Sequence, residues 1–447
     1  MNSKVNFTQD KFVVIGAGDT GVSIVKFLQY KKASILRVLD TRETPPQIYP
    51  NIIGGKLDYA NIADADVIVL SPGISIYEPV IQQAIVSGKQ VVGDVELFAQ
   101  NIEHWNAKVI GITGSNGKTT VTSLTGHLAE SAGYKTLVAG NIGLAVLNAW
   151  LEIEQTKNYP EIIVLELSSF QLETIKTLHY HSATVLNISE DHLDRYRDLL
   201  EYAYAKANIF NNCDYQILNK DDVLVNAMRR PALPVSYFSI CDADFSLLTE
   251  NNKVFLTHKQ KLILDCNELQ LVGKHNYINA LASLALLSAV GVTVDKLVTG
   301  LKTFVGLEHR MQKVTEHNGV LFVEDSKGTN VGAVIAGVSG MDRPVHLILG
   351  GDGKGQDFSP LRELVMNKCK SVAIIGADKY KINDVLIGID LPIKLFDTLQ
   401  DAVKFSISNA KSGDAVILSP ACASWDMFDN YKHRAQVFIE SVYENIK

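Results

Sequence analysis

Short runs of β-branched and apolar residues alternate with helical stretches along almost the whole of this 447-residue chain. Runs that are apolar at nearly every position are typical of strands buried on both faces of a parallel sheet, with right-handed helical crossovers between them. The alternation therefore predicts an α/β protein built on parallel sheets. The nine runs are KFVVI (11–15), ILRVL (35–39), DVIVL (66–70), AKVIGI (107–112), EIIVLEL (161–167), ATVLNI (183–188), PVHLILG (344–350), SVAIIG (371–376) and AVILS (415–419).

Two breaks in this alternation divide the chain into three predicted domains, 1–98, 99–306 and 307–447. The first sheet ends near residues 91–100, and a new strand begins at Lys108. The second break lies near residues 303–312, after a helical stretch at 276–291. Three domains agree with a typical size of about 150 residues per domain. Residues 236–272 are predicted to add small antiparallel strands to the middle domain.

The composition narrows the class of function and the compartment. The net charge is −7, whereas proteins that read nucleic acids carry a basic surface and a pI above about 9. Five cysteines without a C-x-x-C pair argue against a disulfide scaffold or a zinc module. The first residues lack the apolar segment of a signal peptide, and no apolar run reaches the roughly 18–20 residues of a membrane span. We therefore expect a cytoplasmic protein that binds neither nucleic acid nor membrane. We also expect a monomer, although composition does not bear on the oligomeric state.

A glycine-rich segment, GAGDTG at 16–21, follows the first strand and begins the first helix. Backbone N–H groups at a helix N-terminus bind a pyrophosphate. An acidic residue about 20 positions further on accepts a hydrogen bond from the ribose or the base of the same nucleotide. Asp40 stands in that position. Any nucleoside diphosphate presents the same two phosphates, so the segment does not distinguish NAD from a uridine nucleotide. The candidate contacts are Gly18, Asp19, Thr20, Asp40, Thr41 and Arg42.

The segment GSNGKTT at 114–120 joins a strand to a helix and has the pattern of a phosphate-binding loop. Successive amides wrap the phosphates, Lys118 supplies a positive charge, and the Thr119 hydroxyl is placed to bind Mg²⁺. The full pattern G-x-x-x-x-G-K-[ST] is not met because residue 112 is Ile, whereas the shorter G-x-x-G-K-T is met. The predicted ATP contacts in this loop are Gly114, Ser115, Asn116, Gly117, Lys118, Thr119 and Thr120.

A phosphate loop needs a second magnesium ligand at the end of a neighbouring strand. Glu166 ends the run EIIVLE and is predicted to be that ligand. The next run, ATVLNI, ends within the segment NISEDH (187–192), which contains His192 and two acidic residues. Spacing alone does not separate a ligand role from a structural role for His192.

Several reactions stay open on these residues. A phosphate loop with Mg²⁺ can hydrolyse ATP, phosphorylate a hydroxyl or activate a carboxylate, and composition does not choose among them. A nucleotide-like site joined to a separate ATP site indicates a large phosphorylated substrate that is held at one end and activated at the other. An NAD-dependent oxidoreductase and a nucleotide-dependent binding module without chemistry are the alternatives from other classes.

Motifs from about residue 11 to residue 438 resemble those of the Mur ligases. The resemblance implies a Rossmann-like domain for a UDP-sugar, a central P-loop ATPase-type parallel sheet, and a Rossmann-like C-terminal domain that brings an amino acid. It also implies ATP-dependent addition of D-glutamate to UDP-N-acetylmuramoyl-L-alanine through an acyl phosphate, in peptidoglycan synthesis. Ligation of L-lysine or diaminopimelate, or folate polyglutamylation, stays open within the family. The motifs are GAGDTG, DTR, SPG, TGSNGKTT, GNIG, ELSSFQLE, NISEDHLDRY, GKHNYINALA, GLEHRMQ, EDSKGTN, GGDGKG and LSPACASWDMF.

Matching motifs also imply a role for individual residues. Two Mg²⁺ ions and the γ-phosphate would be organised by Lys118, Thr119, Glu166 and His192. The UDP-sugar would be held by the glycine loop, Asp40, Thr41, Ser71, Pro72 and Gly73, with Asn141 and His192 at its muramoyl-alanine end. ATP would contact Asn279, Arg310, Asp325 and Lys327. D-glutamate would contact Thr329, Lys354, Ser424 and Tyr431. Trp425 and Tyr431 depart from the family pattern, in which a smaller aliphatic residue and a phenylalanine are expected.

Lys206 lies in the helical segment YAYAKANIF (202–210). A lysine on an amphipathic helix is usually exposed, so the residue alone favours a surface position. The resemblance instead implies that Lys206 carries a carbamate, whose oxygens would bind metal. Such a modification needs an amine that is partly desolvated and neutral.

Overall fold

The computed structural model describes residues 4–191, 195–271 and 273–446. Its named strands form three sheets, and parallel pairing predominates among the strand pairs described, which confirms the predicted α/β class. The chain divides into two compact units, one comprising residues 1–251, 255–264 and 280–301, the other 252–254, 265–279 and 302–447. Within the described residues, no helix is both long enough and apolar enough to cross a membrane.

The first sheet contains five strands: β1 (Lys11–Ile15), β2 (Ser34–Asp40), β3 (Ile52–Gly54), β4 (Val67–Leu70) and β5 (Gln90–Gly93). Its helices are α1 (Asp19–Tyr30), α2 (Pro79–Val86) and α3 (Asp94–Ala99). The strand order is β3-β2-β1-β4-β5, and every pairing is parallel. Because the order reverses between β1 and β4, the loops that follow these two strands open at the same edge.

The second sheet contains nine strands: β6 (Lys108–Thr113), β7 (Thr136–Gly140), β8 (Ile162–Glu166), β9 (Ser182–Val185), β10 (Gln216–Asn219), β11 (Val235–Ser239), β12 (Phe245–Glu250), β13 (Lys253–His258) and β14 (Lys261–Asp265). Its helices are α4 (Lys118–Ser131), α5 (Val146–Thr156), α6 (Ser169–Leu172), α7 (Leu199–Ala207), α8 (Val223–Ala227), α9 (Lys274–Ala289) and α10 (Val298–Thr303). The order is β14-β13-β12-β11-β10-β9-β6-β8-β7. β6 pairs in parallel with β8 and β9, and β8 with β7, so the carboxyl ends of these four strands meet at one edge.

The prediction of small antiparallel strands over residues 236–272 is wrong for its first part. β11 pairs in parallel with β10, and β12 pairs in parallel with β11. The segment extends the central sheet. A mixture of polar and apolar residues is typical of half-exposed antiparallel strands. Here it has another cause, because β12 lies toward the end of the sheet and several of its residues are exposed.

One apolar cluster runs through both sheets of the first unit. It joins Phe12 of β1 to Ile163 and Leu165 of β8. Within it the rings of Phe27 and Trp150 pack edge to face, with centroids 5.0 Å apart. Full burial of a large apolar side chain contributes about 1.5–3 kcal/mol. This shared core explains why two separate sheets form a single compact unit.

The third sheet contains six strands: β15 (Gln312–His317), β16 (Val320–Glu324), β17 (Val345–Gly350), β18 (Cys369–Ile375), β19 (Ile393–Leu395) and β20 (Ala415–Leu418). Its helices are α11 (Val331–Ser339), α12 (Leu361–Lys368), α13 (Lys379–Leu386), α14 (Leu399–Asn409) and α15 (Tyr431–Asn445). The order is β15-β16-β20-β17-β18-β19, antiparallel between β15 and β16 and parallel elsewhere. Separate apolar clusters cover its two faces. The carboxyl ends of β16, β20 and β17 are therefore neighbours.

The three sheets span residues 11–93, 108–265 and 312–418, each within one of the predicted domains. Where one domain ends and the next begins stays a prediction.

Candidate active site

The glycine loop after β1 packs tightly on the loop after β4. Gly16 has φ +102°, and a Cβ there would lie 2.7 Å from the Cβ and Oγ atoms of Ser71, so only glycine fits. The Ser71 hydroxyl donates to the carbonyl oxygen of Gly16 at 3.2 Å. Gly18 and Asp19, at the start of α1, are exposed, and a Cβ at Gly18 or Gly73 would meet no atom within 4 Å among the described residues. The two loops thus form a braced cradle in which Gly18 and Gly73 leave room for a ligand.

Asp40 braces this cradle from within the protein. Its carboxylate accepts the backbone N–H of Ala17 at 2.7 Å. The guanidinium of Arg42 donates to the same carboxylate from Nε at 2.7 Å and from Nη2 at 2.8 Å. The hydrogen bonds from Arg42 hold the pKa of Asp40 well below its usual value. Asp40 therefore orders the glycine loop, and a direct contact with a ligand stays a prediction, as it does for Thr20 and Thr41.

The phosphate loop lies between β6 and α4, as predicted. Gly117 precedes the helix with φ +81°, and α4 begins at Lys118, which puts Thr119 and Thr120 in its first turn. The Lys118 ammonium donates to the carbonyl oxygens of Gly114 at 2.7 Å and Ser115 at 2.9 Å. Helix N-termini of this kind attract phosphate through their unpaired amides and the helix dipole.

The strand end after β9 holds the phosphate loop in shape. The side-chain oxygen of Asn187 accepts the Asn116 N–H at 2.8 Å, and its amide nitrogen donates to the Asn116 carbonyl at 3.0 Å. The Ser115 hydroxyl donates to the Ser189 carbonyl at 3.0 Å and accepts the Ser189 N–H at 2.9 Å. Sequence reasoning missed Asn187 and Ser189, although both stand in the NISEDH segment at a strand end. His192, from the same segment, lies outside the described residues.

Glu166 is the last residue of β8 and is 1% exposed. It is paired in register with Ile112 of β6, two residues before the phosphate loop begins. Its Oε1 atom accepts the side-chain N–H of Asn141 at 3.0 Å. Its Oε2 atom is buried and has no hydrogen-bond partner among the described residues. A buried carboxylate oxygen without a donor is unfavourable unless a cation binds there, so this oxygen fits a metal ligand.

Lys206 is buried, which overturns the surface position that the residue alone favoured. The side chain is 1% exposed, and its Nζ donates to the Thr113 hydroxyl at 3.4 Å and lies 4.5 Å from the centre of the Tyr202 ring. Burial, with a smaller effect from Lys118, lowers the pKa of Lys206 well below its usual value, against the opposing charges of Asp191 and Glu166. The amine is thus desolvated and inclined to be neutral beside the end of β6.

The second unit carries a separate group of strand-end residues. Asp325 and Thr329 follow β16, Lys354 follows β17, and Ser424 follows β20. The Lys327 ammonium lies 4.1 Å from the centre of the Tyr431 ring, which also packs edge to face on His309 at 5.6 Å. These contacts bring together Lys327, which the resemblance assigns to ATP, and Tyr431, which it assigns to D-glutamate. Lys354 is exposed, and Trp425 is 69% exposed.

Asp325 accepts two hydrogen bonds in a fully buried position. The Met311 N–H donates to Oδ1 at 3.1 Å, and the Ser419 hydroxyl donates to Oδ2 at 2.6 Å. Burial raises the pKa of Asp325 to about 7. Asn279 lies on α9, where its side chain donates to Asn276 at 2.9 Å. Arg310 is half-buried. Joint binding of ATP by these residues stays a prediction.

Sequence reasoning missed a buried arginine that joins two loops of this group. Arg434 is 0% exposed and donates to the carbonyl oxygens of Ser326 at 2.8 Å and Cys422 at 3.1 Å. Burial lowers its pKa to about 10. No local signal marks it, because a surface position on α15 would fit the sequence equally well.

A cluster of His179, His181 and Asp214 also offers metal-type ligands, within 4.8 Å of one another. His181 Nδ1 accepts the backbone N–H of Val109 at 3.1 Å, so the neutral ring carries its proton on Nε2. His179 and Asp214 are hydrogen bonded to each other at 2.9 Å. The cluster precedes β9 and β10, at the sheet edge opposite the phosphate loop, and its hydrogen bonds cap the starts of these strands.

Comparison with known proteins shows which family has this order of domains and motifs. Three family models match in chain order: the Mur ligase MurD-like N-terminal domain at residues 10–93, the Mur ligase middle domain at 112–287, and the Mur ligase glutamate ligase domain at 309–422. The chain is 47% identical over 446 residues to the UDP-N-acetylmuramoylalanine–D-glutamate ligase of Chromobacterium violaceum, covering 98% of each. It is 42% identical over 444 residues to the ligase of that name from Haemophilus influenzae, covering 97% of this chain and 98% of the relative.

Solved structures show the same fold at low identity. The crystal structure of MurF from Acinetobacter baumannii has a TM-score of 0.61 at 17% identity and covers 97% of this chain and 91% of its own. The UDP-N-acetylmuramate-alanine ligase of Thermotoga maritima has a TM-score of 0.59 at 15% identity and covers 98% of this chain and 100% of its own. With three matching family models and relatives of over 40% identity along nearly the whole length, this chain belongs to the Mur ligase family.

Proposed function

We propose that this chain joins D-glutamate to UDP-N-acetylmuramoyl-L-alanine in an ATP-dependent reaction of peptidoglycan precursor synthesis. The observation that carries the proposal is the buried Oε2 atom of Glu166, which has no hydrogen-bond partner in the described part of the chain and lies on the strand next to the one that leads into the phosphate loop. The names of the relatives, which state that ligation, support the choice of substrates. The roles of individual residues below belong to the same proposal.

Magnesium fits the donor set at this strand edge. Mg²⁺ prefers oxygen ligands and is held in such sites by a carboxylate, a hydroxyl and the substrate phosphates. We assign Thr119, Glu166, His192 and a modified Lys206 as the residues that would hold two ions. When bound, the ions supply Lewis-acid neutralisation of the phosphate charge, an effect worth several kcal/mol.

The environment of Lys206 supports carbamylation. A neutral buried amine can add to the carbon of CO₂ and lose a proton, which turns a cation into an anionic oxygen ligand on a long stem. Its low pKa and its Thr113 contact favour that reaction. An unmodified ammonium in the same position would add a fourth positive centre next to Lys118 and the two metal ions.

The chemistry needs no protein nucleophile. The alanine carboxylate of the UDP-sugar attacks the γ-phosphorus of ATP, which forms an acyl phosphate and releases ADP. The neutral amine of D-glutamate then attacks the acyl carbon, phosphate leaves, and the nitrogen loses a proton. Two anions must approach in the first step, so the amides of the phosphate loop and Lys118 act by neutralising charge and fixing geometry.

Each substrate is assigned to residues of the predicted domains. The UDP-sugar is assigned to residues 1–98 and Asn141, through Gly18, Asp19, Thr20, Asp40, Thr41, Arg42, Ser71, Pro72 and Gly73. ATP is assigned to the phosphate loop of residues 99–306 with Asn279, Arg310, Asp325 and Lys327. D-glutamate is assigned to residues 307–447, through Thr329, Lys354, Ser424 and Tyr431. Lys354 suits a dicarboxylate, since it provides a positive charge.

A phosphate-release assay tests the proposed function. The purified chain is given Mg-ATP and UDP-N-acetylmuramoyl-L-alanine with D-glutamate, L-glutamate, L-lysine or diaminopimelate in turn. We expect phosphate only when the UDP-sugar and D-glutamate are both present. Release with another amino acid would reassign the acceptor, and release that does not depend on the UDP-sugar would contradict the proposal. We further propose a cytoplasmic monomer, for which size-exclusion chromatography with light scattering tests the oligomeric state.

A further inference from the structure

Arg195 ties the loop after β4 to the central sheet of the same unit. Its Nη1 atom donates to the carbonyl oxygen of Pro72 at 3.0 Å, and its Nη2 atom to that of Ile74 at 3.4 Å. Nη2 also donates to the Glu173 carboxylate at 3.1 Å. The guanidinium lies 3.7 Å from the centre of the Phe170 ring. Only 11% of the Arg195 side chain and 4% of the Glu173 side chain are exposed, so the contacts are largely shielded from water.

Glu173 fixes the arginine in this position. Its second oxygen accepts the Tyr196 hydroxyl at 2.8 Å, so both carboxylate oxygens are engaged by consecutive residues of one segment. A charge-assisted contact of this kind, partly buried and stacked on an aromatic face, is stronger than an exposed ion pair. The carboxylate also compensates the buried charge, which leaves the guanidinium able to bond two neutral carbonyls.

These carbonyl contacts set the direction of the loop amides. In a trans peptide the C=O and N–H groups point in opposite directions. A guanidinium that holds the Pro72 carbonyl therefore turns the N–H of Gly73 to the other side of the loop. A Cβ at Gly73 would meet no described atom within 4 Å, so a ligand has room to approach that backbone. Hydrogen bonding at the carbonyl also polarises the peptide and makes its N–H a better donor.

The same segment reaches the phosphate loop at its other end. Ser189 exchanges two hydrogen bonds with Ser115, at 2.9 and 3.0 Å, and Arg195 is six positions further along the chain. One stretch of chain thus contacts the loop proposed for ATP and the loop proposed for the UDP-sugar.

From this geometry we infer that Arg195 is a positioning residue for the nucleotide-sugar substrate: it orients the Gly73 N–H in the Ser71-Pro72-Gly73 loop, and Glu173 holds it in place. The inference rests on the proposed function, because the UDP-sugar is assigned to that loop there. Arg195 is not a catalytic residue, since it acts through the loop. Its removal should weaken binding of the UDP-sugar more than it slows the chemical step or changes the use of ATP.

The test compares Arg195→Met, Arg195→Lys and Glu173→Gln with the unaltered chain. Isothermal titration with UDP-N-acetylmuramoyl-L-alanine gives Kd, and the phosphate-release assay gives KM for each substrate and kcat. We expect Arg195→Met to raise Kd and KM for the UDP-sugar about tenfold or more, the scale of a lost charge-assisted contact. We expect KM for ATP to stay within about twofold. Kd and KM of Arg195→Lys for the UDP-sugar should lie between those of the unaltered chain and of Arg195→Met. An ammonium keeps the positive charge but lacks the planar, forked arrangement of N–H donors.

Arg197→Met is the matched control. Arg197 is two positions further on and is 86% exposed at its side chain, where it pairs with Glu201. The Arg197→Met variant should leave Kd for the UDP-sugar, KM for each substrate and kcat unchanged. If Arg195→Met does not fold, Arg195→Lys and Glu173→Gln carry the test, because both keep a side chain of similar size.

Two failures can be told apart. A UDP-sugar Kd in Arg195→Lys and Glu173→Gln equal to that of the unaltered chain overturns the inference and leaves the proposed function standing. An equal rise in KM for the UDP-sugar, ATP and D-glutamate also overturns it, because that pattern indicates general destabilisation. If the unaltered chain does not bind the UDP-sugar at all, the proposed function fails and the inference fails with it.

Discussion

Asn141 and Glu166 hold each other at the ends of two neighbouring strands. The Asn141 side chain donates to Oε1 of Glu166 at 3.0 Å, and its backbone N–H donates to the Glu166 carbonyl at 2.8 Å. Gly140 permits this approach, since it has φ +110° and a Cβ there would lie 2.1 Å from that carbonyl oxygen. One carboxylate oxygen is thereby oriented by the protein, and the other, Oε2, has no hydrogen-bond partner among residues 4–191, 195–271 and 273–446.

Glu166→Gln tests the use of that second oxygen. The amide keeps the size and an oxygen for Asn141, and removes the negative charge that a metal ion requires. We expect kcat to fall about 100-fold or more, the scale of losing a group that stabilises charge in the transition state. The phosphate-release assay over a range of Mg²⁺ concentrations measures the effect. Glu161→Gln is the control, because Glu161 is exposed and directly precedes the same strand. A Glu166→Gln enzyme with normal turnover would remove this residue from the metal site.

Lys206→Met should abolish turnover and stabilise the fold. The folded pKa of Lys206 lies well below that of an unfolded chain, so the folded state binds fewer protons and its stability rises with pH toward the ordinary lysine range. Methionine has a similar length and no charge. We expect the variant to be more stable at pH 7, by about 1 kcal/mol or more, and its stability to depend less on pH.

Thermal unfolding in buffers depleted of CO₂ measures this effect, so that the amine is compared without modification. Lys404→Met, at an exposed position on α14, is the control and should change neither stability nor turnover. A Lys206→Met protein that is less stable than the unaltered chain would show that contacts of the amine with the protein outweigh the cost of its burial.

Local sequence patterns predicted the parts of the site that depend on one segment. The phosphate loop follows from a strand, small residues and a helix, and Glu166 follows from its place at a strand end. The same reasoning singled out Asp40, because it stands nineteen positions after Gly21. It did not predict that Asp40 bonds Ala17 and Arg42, since the acceptor of a loop N–H depends on how the loop folds.

The missed residues make contacts between distant segments. Arg195 meets Pro72, which is 123 positions away, and Arg434 meets Ser326, which is 108 positions away. Charged residues are usually exposed, so neither arginine nor Lys206 carries a local sign of burial. Their positions follow from the packing of helices on sheets. The parallel pairing of β11 and β12 was missed for a related reason: half-buried and exposed residues in these strands interrupt the apolar run that marks a buried parallel strand.

Asp325→Asn tests the pH dependence of the second unit. Burial raises the pKa of Asp325 to about 7. The folded state therefore binds more protons than the unfolded state between about pH 4 and 7, and this group's contribution to stability is lost as the pH rises through that window. Asparagine does not titrate and keeps an acceptor for the Met311 N–H. We expect the variant to lose less stability than the unaltered chain between pH 4.5 and about 7.5, as measured by thermal unfolding.

The difference between the two proteins isolates this group, because Asp94, whose burial raises its pKa to about 6, contributes equally to both. Asp384→Asn, at an exposed position on α13, should reproduce the pH profile of the unaltered chain. Identical profiles for Asp325→Asn and the unaltered chain would show that Asp325 is ionised throughout this range.

Arg434→Lys tests whether the buried arginine aligns the loops proposed for D-glutamate. The carbonyls that it bonds precede Thr329 by three residues and Ser424 by two. A lysine keeps the charge, but a single ammonium does not span two carbonyls as a planar guanidinium does. We expect KM for D-glutamate to rise about tenfold, with KM for the UDP-sugar within about twofold.

Arg434→Met separates alignment from stability. It leaves the Ser326 and Cys422 carbonyls without this donor, so we expect a loss of about 2–4 kcal/mol in the free energy of unfolding. Lys432→Met, two positions earlier and exposed, should change neither quantity. If Arg434→Lys lowers the stability and leaves KM for D-glutamate unchanged, the arginine supports the fold alone. A selective rise in that KM, at a temperature where the variant is fully folded, requires that the two loops be held in register for the amino acid to bind.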